Sequence, residues 1–342
     1  MSEIRCVFCG RLIDTDKQAL FRLPPDYVRR PDAIYRRYLE IRDITGKDHN
    51  LPDVCGIGSP EVAMLTSENG RPTLVTRTGR NTDSMICPTC HNQILRNTDS
   101  ASVSSAVFFG GRDSGKTSLV LTLANECITR QFSIDDRFRY IFNDKVCDPA
   151  LITGAAEEVR NGGKPADLRD PTAIYRVTGA SQGMKTLCDV MYDTSASDIR
   201  DMDSIRFTLP FAADSRYFVY CIPADKLAET VITQDERADM DARTDMYTML
   251  EACRYAQTPP VLTIAVTKLD LAEKAGGAGD DIMRCHADER ALKNYIFTAF
   301  PSVGELAVMF TDVHACAVSA VDPDIGGKET TLAGKLYLGL FG

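Results

Sequence analysis

The sequence predicts a two-part protein, with a small cysteine-containing module over residues 1–100 and an α/β domain over residues 101–342. Three observations predict this organisation. Closely spaced cysteine pairs stand near the start and the end of the first hundred residues. A glycine-rich loop then follows a buried strand and precedes a helix. Further apolar runs alternate with helical patterns, which favours a mostly parallel sheet with helices on both faces.

Length and charge support two units of a globular protein. The chain has 342 residues, and domains average about 150 residues. Residues 1–100 carry 14 basic and 13 acidic side chains, whereas residues 101–342 carry 25 and 35. Hydrophobic residues at 44% and charged residues at 25% argue against a disordered chain, a collagen or a coiled coil. The net charge of -9 argues against non-specific binding to nucleic acid or anionic membranes.

The N-terminus and most of the cysteines predict a cytoplasmic protein with reduced thiols. Residues 1–6 are polar and form no signal segment, and no apolar stretch approaches the length of about 18 residues that a membrane span needs. Cysteines that stand singly are therefore expected to be small buried hydrophobes. They are Cys55, Cys127, Cys147, Cys188, Cys221, Cys253, Cys285 and Cys316.

Two Cys-x-x-Cys pairs predict one structural zinc site. The pairs are Cys6 with Cys9, and Cys87 with Cys90. Two intervening residues let both thiols turn toward one metal ion, and two pairs supply the four thiolates of tetrahedral Zn²⁺. Two unrelated reduced pairs, or a redox pair, are the alternatives, but neither pair stands at a strand-to-helix turn of a βαβ unit. His91 also completes a haem-attachment pattern, which the lack of a secretion signal disfavours, so we expect it outside the ligand set.

The stretch between the pairs reads as an insertion. Helical spacing of apolar residues predicts a helix over residues 33–44 with Asp32 as its N-cap. Residues 50–85 are rich in turn formers and predict loops with short strands. The helix region also carries a group of basic side chains, which predicts a solvated helix face or a docking surface for an acidic partner. They are Arg29, Arg30, Arg36, Arg37 and Arg42.

A phosphate-binding loop follows the polar linker of residues 97–105. Residues 103–109 read as a buried strand, residues 110–117 spell GGRDSGKT, and residues 118–128 have helical periodicity. This is the GxxxxGK[ST] pattern between a strand and a helix, in which backbone N–H groups surround phosphates. Lys116 is expected to reach the β- and γ-phosphates, and Thr117 to bind Mg²⁺. The residues predicted to contact the nucleotide are Gly110, Arg112, Asp113, Ser114, Gly115, Lys116, Thr117 and Ser118.

Two later strand ends predict that the base is guanine. The β-branched run of residues 261–266 ends in Thr267, Lys268 and, two positions on, Asp270. A carboxylate there can accept both N1–H and N2–H of guanine, which adenine does not offer, and the lysine stem can cover the base. A further strand, over residues 315–318, leads to Ser319 and Ala320, where a backbone N–H can donate to guanine O6.

In this order over residues 106–320, the motifs resemble those of the TRAFAC class of P-loop GTPases, which includes Ras-like and translation-factor-like enzymes. Its [NT]KxD motif is matched by Thr267, Lys268 and Asp270, its SA motif by Ser319 and Ala320, and its DxxG motif by Asp193 with Ala196. The resemblance implies a Ras-like fold, binding of GTP and GDP, and Mg²⁺-dependent hydrolysis of GTP. It also implies that Asp193 holds Mg²⁺ through water.

The resemblance further implies a switch threonine that closes on Mg²⁺ and the γ-phosphate. Thr172 lies 21 residues before Asp193, with a predicted hairpin between them, so we choose Thr172. Thr153 and Thr178 are the alternatives. The polar segments 143–173 and 194–206 are then the expected switch regions.

Departures from the family pattern concern catalysis more than binding. Ala196 replaces the motif glycine, and Ser197 stands where Ras-like enzymes carry a water-orienting Gln. We therefore expect slow hydrolysis that awaits a partner, although Asp198 could substitute. Arg112 is expected to face solvent or to touch the phosphates, and Asp113 is a candidate for a monovalent-cation site. The catalytic candidates are Lys116, Thr172 and Ser197.

Three functions remain open at this level. The first is a GTP-hydrolysing switch whose state decides which protein partner it binds. The second is a GTP-dependent scaffold with negligible hydrolysis, and the weakest is a zinc-ribbon protein that binds nucleic acid. The chain also resembles a bacterial double-GTPase group, in which a cysteine-rich module can precede the GTPase and a second GTPase is encoded nearby. This implies that the effector or activating partner could be a second GTPase.

Overall fold

The computed structural model describes residues 3–68, 71–94, 103–130, 138–141, 148–164, 168, 171–180, 183–195, 199, 205, 209–212, 215–252, 260–275, 277–321 and 332–341. The chain separates into two compact units, Met1–Val103 and Ser104–Gly342. In the described part of the chain, no helix has both the length and the apolar character needed to cross a membrane.

The first unit is built from short elements. They are β1 (Glu3–Arg5), β2 (Leu12–Asp14), α1 (Thr15–Gln18), β3 (Leu20–Arg22), β4 (Arg29–Pro31), α2 (Ala33–Ile41), β5 (Asn50–Pro52), β6 (Val54–Gly56), β7 (Val62–Glu68), β8 (Arg71–Thr76), β9 (Asn81–Thr82) and β10 (Met85–Ile86). All their described pairings are antiparallel. Strand β3 is central because it pairs with both β10 and β6, which links the segment before the second cysteine pair to the middle of the unit.

The core of the first unit is small. It surrounds Phe21 and Leu74, both fully buried, and also contains Ala19, Leu23, Cys55 and Val62. Asp32 caps α2, as predicted, by accepting a hydrogen bond from the Tyr35 N–H at 2.9 Å. The helix is shorter than predicted, and two of its expected apolar contacts, Ile34 and Ile41, are exposed.

The basic group around α2 is largely neutralised within the unit. Salt bridges join Arg29 to Asp48 at 3.0 Å, Arg30 to Asp53 at 3.5 Å and Arg36 to Glu40 at 3.4 Å. Arg42, predicted on the basic face, is instead buried. All three pairs are exposed, so they hold the arginines only weakly and fit the predicted solvated helix face.

The second unit alternates strands and helices. Its elements are β11 (Val103–Phe109), α3 (Lys116–Arg130), β12 (Phe138–Ile141), α4 (Pro149–Arg160), β13 (Thr172–Ala180), β14 (Gly183–Asp193), β15 (Tyr217–Pro223), α5 (Ala224–Thr233), α6 (Glu236–Ala252), β16 (Val261–Thr267), α7 (Leu269–Ala275), α8 (Ala278–Cys285), α9 (Glu289–Ala299), α10 (Pro301–Ala307), β17 (Val313–Ala317) and α11 (Leu332–Phe341). One sheet contains all seven strands, in the order β12-β13-β14-β11-β15-β16-β17.

The sheet is parallel where the nucleotide motifs were predicted. Strands β11, β15, β16 and β17 pair in parallel, because long runs of apolar residues allow burial on both sheet faces. The predicted hairpin before Asp193 is confirmed as β13 and β14, which pair antiparallel and are longer than expected. Strand β13 also pairs antiparallel with β12. The predicted sheet with helices is thus confirmed, with an antiparallel addition at one edge.

The two faces of the sheet are packed by different groups of side chains. On one face, α3, α4 and α11 pack in a single apolar cluster against residues such as Val219, Cys221 and Met191. On the other face, Phe218 contacts Phe109 and Phe310 through their rings. Tyr337 of α11 donates a 2.7 Å hydrogen bond to the buried carboxylate of Asp189 in β14, which ties this helix to the strand that ends at Asp193.

The single cysteines mostly behave as predicted. Cys55, Cys127, Cys188 and Cys221 are buried, whereas Cys285 and Cys316 are only partly buried. Cys147 and Cys253 lie outside the described residues. Burial raises the pKa of the Cys221 thiol well above its usual range, so this thiol stays protonated and acts as a small apolar side chain.

Candidate metal centre and nucleotide site

The two cysteine pairs form turns with the same hydrogen bonds. In the first, the N–H of Cys6 donates to the Arg11 carbonyl and the N–H of Gly10 to the Cys6 carbonyl; in the second, Cys87 donates to Asn92 and His91 to Cys87. The residue after each second cysteine has a positive φ, 71° at Gly10 and 54° at His91. Glycine suits this left-handed position, and histidine occupies it in the second turn.

The turns bring all four cysteine sulfurs together. Cys6 lies 3.7 Å from Cys90 and Cys9 lies 3.6 Å from Cys87, measured between Sγ atoms. All four sulfurs lie within 4.8 Å of one another. Tetrahedral zinc with Zn–S bonds of about 2.3 Å requires S···S separations of about 3.8 Å, so this donor set fits Zn²⁺.

The thiols also influence one another's ionisation. Hydrogen bonds with Cys87 and Cys9, together with burial, raise the pKa of Cys6. Hydrogen bonds from Cys6 and Cys9 lower the pKa of Cys87. Hydrogen bonds within the cluster also lower the pKa of Cys9, and a bound divalent cation would favour the thiolate form of all four.

A buried polar network holds the second turn from behind. His91 Nδ1 lies 2.9 Å from both carboxylate oxygens of Asp32, and Arg22 donates to Asp32 at 2.8 Å. Arg22 also donates to the His91 carbonyl at 3.2 Å. Burial opposes ionisation of Asp32, but the Tyr35 N–H, Arg22 and His91 together lower its pKa. His91 thus supports the site from outside the ligand set, and its partners, which lie far away in sequence, were not predicted.

The loop of residues 110–117 has a conformation that requires glycine. Gly110 has φ of 138°, and a Cβ there would lie 2.5 Å from the Cys221 carbonyl oxygen in β15. Gly115 has φ of 80° and faces Thr267. The loop is therefore pressed against the neighbouring strand, and the helix α3 begins directly after it at Lys116.

Lys116 is buried inside this loop. Its Nζ donates to the carbonyls of Gly110 at 2.8 Å and Gly111 at 2.9 Å, and to the Ser114 hydroxyl at 3.2 Å. A buried ammonium surrounded by a loop at a helix N-terminus gives a strong anion site. Ser114 is also buried, whereas Ser118 lies in the first turn of α3 and is partly exposed.

Thr117 and Asp193 meet across the sheet edge. The Thr117 hydroxyl donates to Asp193 Oδ2 at 2.5 Å, although the residues are 76 positions apart. The neighbouring Thr194 donates from its hydroxyl and its N–H to the Phe108 carbonyl, at 2.8 and 3.1 Å. These two hydrogen bonds hold the end of β14 against β11. A hydroxyl and a carboxylate are oxygen donors of the kind that Mg²⁺ prefers, so this pair fits the ion.

The predicted switch threonine lies beside this pair in register. Thr172 is the first residue of β13 and opposes Met191 of β14, two residues before Asp193. Side chains two apart share a sheet face, so Thr172 and Asp193 lie on the same face, and Thr172 is buried. Thr153 lies within α4 and Thr178 farther along β13. Ala196, Ser197 and Asp198 lie outside the described residues.

Thr267 joins the predicted base motif to the phosphate loop. Its hydroxyl donates to the Ser114 carbonyl at 2.6 Å, from 153 residues away. Lys268 follows with φ of 55°. This left-handed residue turns the chain from β16 into α7 and lets Asp270 enter that helix in its first turn.

Asp270 is buried and has a polar neighbour from the second predicted base loop. The Ser319 hydroxyl donates to Asp270 Oδ1 at 2.7 Å. The N–H of Val318 donates to the Val266 carbonyl at 2.8 Å, which fixes the two strand ends together. Ala320 is partly exposed beside them. The two motifs that were predicted to read the base are therefore adjacent.

The exposed side of the phosphate loop carries charges. Arg112 is 87% exposed, as expected for a solvent-facing side chain, and its Nε lies 3.9 Å from Asp113. Asp113 has φ of 59° and also pairs with Lys164, whose Nζ lies 3.6 Å away. Lys164 was not predicted as a site residue.

Asp245 is a second residue that sequence patterns did not single out. Burial raises its pKa to about 6, an effect that the charge of Lys116 partly opposes and that of Asp241 reinforces. It lies in α6. A carboxyl among many acidic residues of a helix carries no sequence signal, because its partial burial depends on how α6 packs.

No known domain family and no curated protein matches this sequence. The GTPase-like domain of Ski7 from S. cerevisiae, bound to GTP, is similar at 12% identity and a TM-score of 0.35, over 70% of this chain and 49% of that chain. The signal recognition particle receptor SRb-GTP/SRX complex from Chaetomium thermophilum is similar at 13% identity and a TM-score of 0.34, over 68% and 95%.

Sar1 from Encephalitozoon cuniculi with GDP is similar at 14% identity and a TM-score of 0.28, over 69% of this chain and 78% of that chain. The chain spans between 37% and 58% of the length of three solved structures that it matches. These are distant similarities to GTPases, and the site geometry of this chain stands independently of them.

Proposed function

We propose that this protein is a GTP-binding switch that hydrolyses GTP slowly to GDP and phosphate with Mg²⁺. One observation carries the proposal: three motifs far apart in sequence are joined by direct hydrogen bonds. Thr117 of the phosphate loop bonds Asp193, and Thr267 of the base motif bonds the loop at Ser114. Such connections make one site out of the ends of β11, β14 and β16.

The loop supplies the phosphate contacts. Backbone N–H groups at the start of α3 favour negative charge. Lys116 would exchange its carbonyl partners for the β- and γ-phosphate oxygens, and would stabilise charge on the transferring phosphoryl group. Arg112, Asp113, Ser114 and Ser118 border the same loop.

Thr117, Asp193 and Thr172 are the proposed magnesium-binding residues. Mg²⁺ would neutralise charge on the phosphate oxygens when bound. Thr117 and Asp193 are already in contact, and Thr172 shares their sheet edge. The position of Thr172 at the start of a strand suits a residue whose preceding segment reorders with the nucleotide.

Asp270 is the proposed selector for guanine. Its carboxylate would accept the N1–H and N2–H donors of the base, while Ser319 holds it in place. Lys268 would cover the base face, and the backbone at Ala320 would reach O6. Adenine offers a different donor pattern at this edge. Bound ATP would therefore leave the buried carboxylate without the two donors that guanine supplies, which disfavours ATP.

The sequence around Ser197 supports slow hydrolysis and a protein partner. A serine is shorter than the glutamine that orients attacking water in Ras-like enzymes, and Ala196 replaces the flexible glycine. We propose that a partner protein supplies the missing polar or cationic group, and a second GTPase is one such partner. The cysteine cluster is proposed to bind one structural Zn²⁺ and to give the first unit a fixed surface.

Nucleotide binding and turnover on the full-length chain test the proposal. GTP, GDP and ATP binding with Mg²⁺ would be measured by calorimetry, and phosphate release followed over hours. We expect Asp270→Ala to weaken GTP binding by about 100-fold or more, since two charge-assisted hydrogen bonds are lost. Asp312→Ala removes an exposed carboxylate just before β17, at the opposite end of the parallel strands from Asp270, and serves as the matched control.

Each outcome is decisive. Slow phosphate release that Lys116→Ala abolishes supports the switch. Tight GTP binding without release above the Lys116→Ala background makes the protein a GTP-dependent scaffold. ATP binding equal to GTP binding contradicts the role given to Asp270.

A further inference from the structure

The segment that follows helix α4 places a lysine beside the phosphate loop. Lys164 Nζ lies 3.6 Å from Asp113 Oδ1, and Asp113 stands three residues before Lys116 in the loop. Lys164 belongs to the connection between α4 and β13, so it comes to the loop from a separate segment. This connection lies in the polar segment 143–173, which was predicted only as a switch region.

The helix that precedes this lysine is firmly attached to α3. Ile152, Ala156 and Val159 are buried, and two of them belong to the same apolar cluster as α3. Arg160 in the last turn pairs with Glu126 of α3 at 3.5 Å, and Glu126 is fully buried. A buried carboxylate paired with an arginine is costly to separate, so the end of α4 has a defined place beside α3.

The turn after α4 directs the chain toward the loop. Gly162 has φ of 79°, and its N–H donates to the Val159 carbonyl; Gly163 donates to the Glu158 carbonyl at 2.9 Å. These two bonds make a Schellman motif. A Cβ at Gly163 would lie 2.5 Å from the Glu158 side chain. Lys164 follows immediately, so its backbone position is set by a specific helix end.

Lys164 is exposed, and its present partner is weak. An exposed lysine–carboxylate pair contributes at most about 1 kcal/mol, so the ammonium is easily transferred to a stronger anion. The terminal phosphate of a bound triphosphate carries more negative charge than Asp113 and binds within the same loop. Arg112 is equally exposed and lies 3.9 Å from the same carboxylate, but it belongs to the loop itself, whereas Lys164 reaches the loop from a separate segment.

We propose that Lys164 is a cis-acting cation that contacts the terminal phosphate of the bound nucleoside triphosphate, with Asp113 holding it beside the loop otherwise. The inference rests on the proposed function and names a phosphate-sensing residue for it.

The test compares a triphosphate with a diphosphate. Binding of a non-hydrolysable GTP analogue and of GDP would be measured for wild type, Lys164→Ala and Lys164→Arg. We expect Lys164→Ala to weaken analogue binding about tenfold, as for one charge-assisted hydrogen bond, and to change GDP binding less than about twofold. Lys164→Arg should keep most of the affinity. Arg216→Ala, which removes an exposed cation before β15, is the charge-matched control.

The outcomes separate this inference from the proposed function. If wild type binds neither nucleotide, the proposed function fails. If wild type binds both but Lys164→Ala weakens neither, or weakens both equally, the inference is overturned while the function stands. Thermal melting of Lys164→Ala without nucleotide should match wild type; a lowered melting temperature with equal losses would assign Lys164 a structural role and also overturn it.

Discussion

The two units bring distant residues together by different means. In the second unit, a large apolar cluster of buried residues packs on one face of the sheet, and site residues converge because they stand at the ends of neighbouring strands. The first unit has only a small core around Phe21 and Leu74. There, four cysteines from two turns and the buried His91–Asp32–Arg22 network hold the ends of the unit together.

This difference teaches where each unit is vulnerable. A small domain that buries little apolar surface depends on cross-links or metal ions for its stability. A larger sheet with helices depends instead on close packing, so one added atom that clashes with its neighbours is strongly destabilising. We therefore expect metal removal to destabilise mainly the first unit, and a steric clash in the packed sheet to destabilise mainly the second.

Removal of metal should produce the largest effect, and only in the first unit. We expect one zinc per chain, and stripping it with a chelator should unfold residues 3–94, since structural zinc contributes about 10–16 kcal/mol to folding in small modules. Hydrogen exchange resolved along the sequence would measure this. Cys90→Ser should reproduce the loss, whereas Cys285→Ser in the second unit should not. Protection that survives complete metal removal would show that the small core suffices.

A single added methyl group should break the second unit and leave the first unchanged. Gly110→Ala places a Cβ against the Cys221 carbonyl in a backbone region that L residues rarely adopt, and we expect a loss of about 3–5 kcal/mol in unfolding free energy. Gly111→Ala is the matched control, because a Cβ there meets nothing within 4 Å. Urea denaturation measures both. Equal stability of the two variants would mean that the loop can move away from β15.

A change of pH should act on the second unit in a predictable direction. Burial raises the pKa of Asp245 to about 6 from an ordinary value of 3.8, so its contribution is favourable below pH 3.8 and is lost as pH rises through about 6. Asp245→Asn should therefore stabilise the protein by about 2 kcal/mol at pH 8, after allowance for partial exposure, and little at pH 4. Urea denaturation at both values, with exposed Asp312→Asn as control, measures this; a destabilised variant at pH 8 would show that Lys116 outweighs burial.

What could be predicted from the sequence was local in character. The strand, loop and helix around Lys116 are contiguous, and each Cys-x-x-Cys turn is complete within six residues, so short-range patterns sufficed. The N-cap at Asp32 and the hairpin before Asp193 followed from similar signals. The prediction that the two cysteine pairs share one site required only the assumption that all four thiolates bind the same metal ion.

The features that sequence reasoning missed depend on long-range packing. His91 and Asp32 are 59 residues apart, and Tyr337 and Asp189 are 148 apart, so no spacing rule relates them. Helix α4 did have a signal, with Asp148 as cap, Pro149 in the first turn and glycines at 162 and 163. The stretch 143–173 was instead predicted to be a polar switch region, so neither α4 nor Lys164 was predicted.

The meeting of the two cysteine turns has a topological consequence for the chain between them. Cys9 and Cys87 lie 78 positions apart yet almost touch, so residues 10–86 form a closed loop with adjacent ends. The entropy of closing such a loop changes by only about 0.6 kcal/mol when its length doubles. The exposed turns of this loop can therefore be lengthened at small entropic cost, provided that Arg22 and Asp32 within it keep their hydrogen bonds to the second cysteine turn, and such turns are natural places for new recognition surfaces.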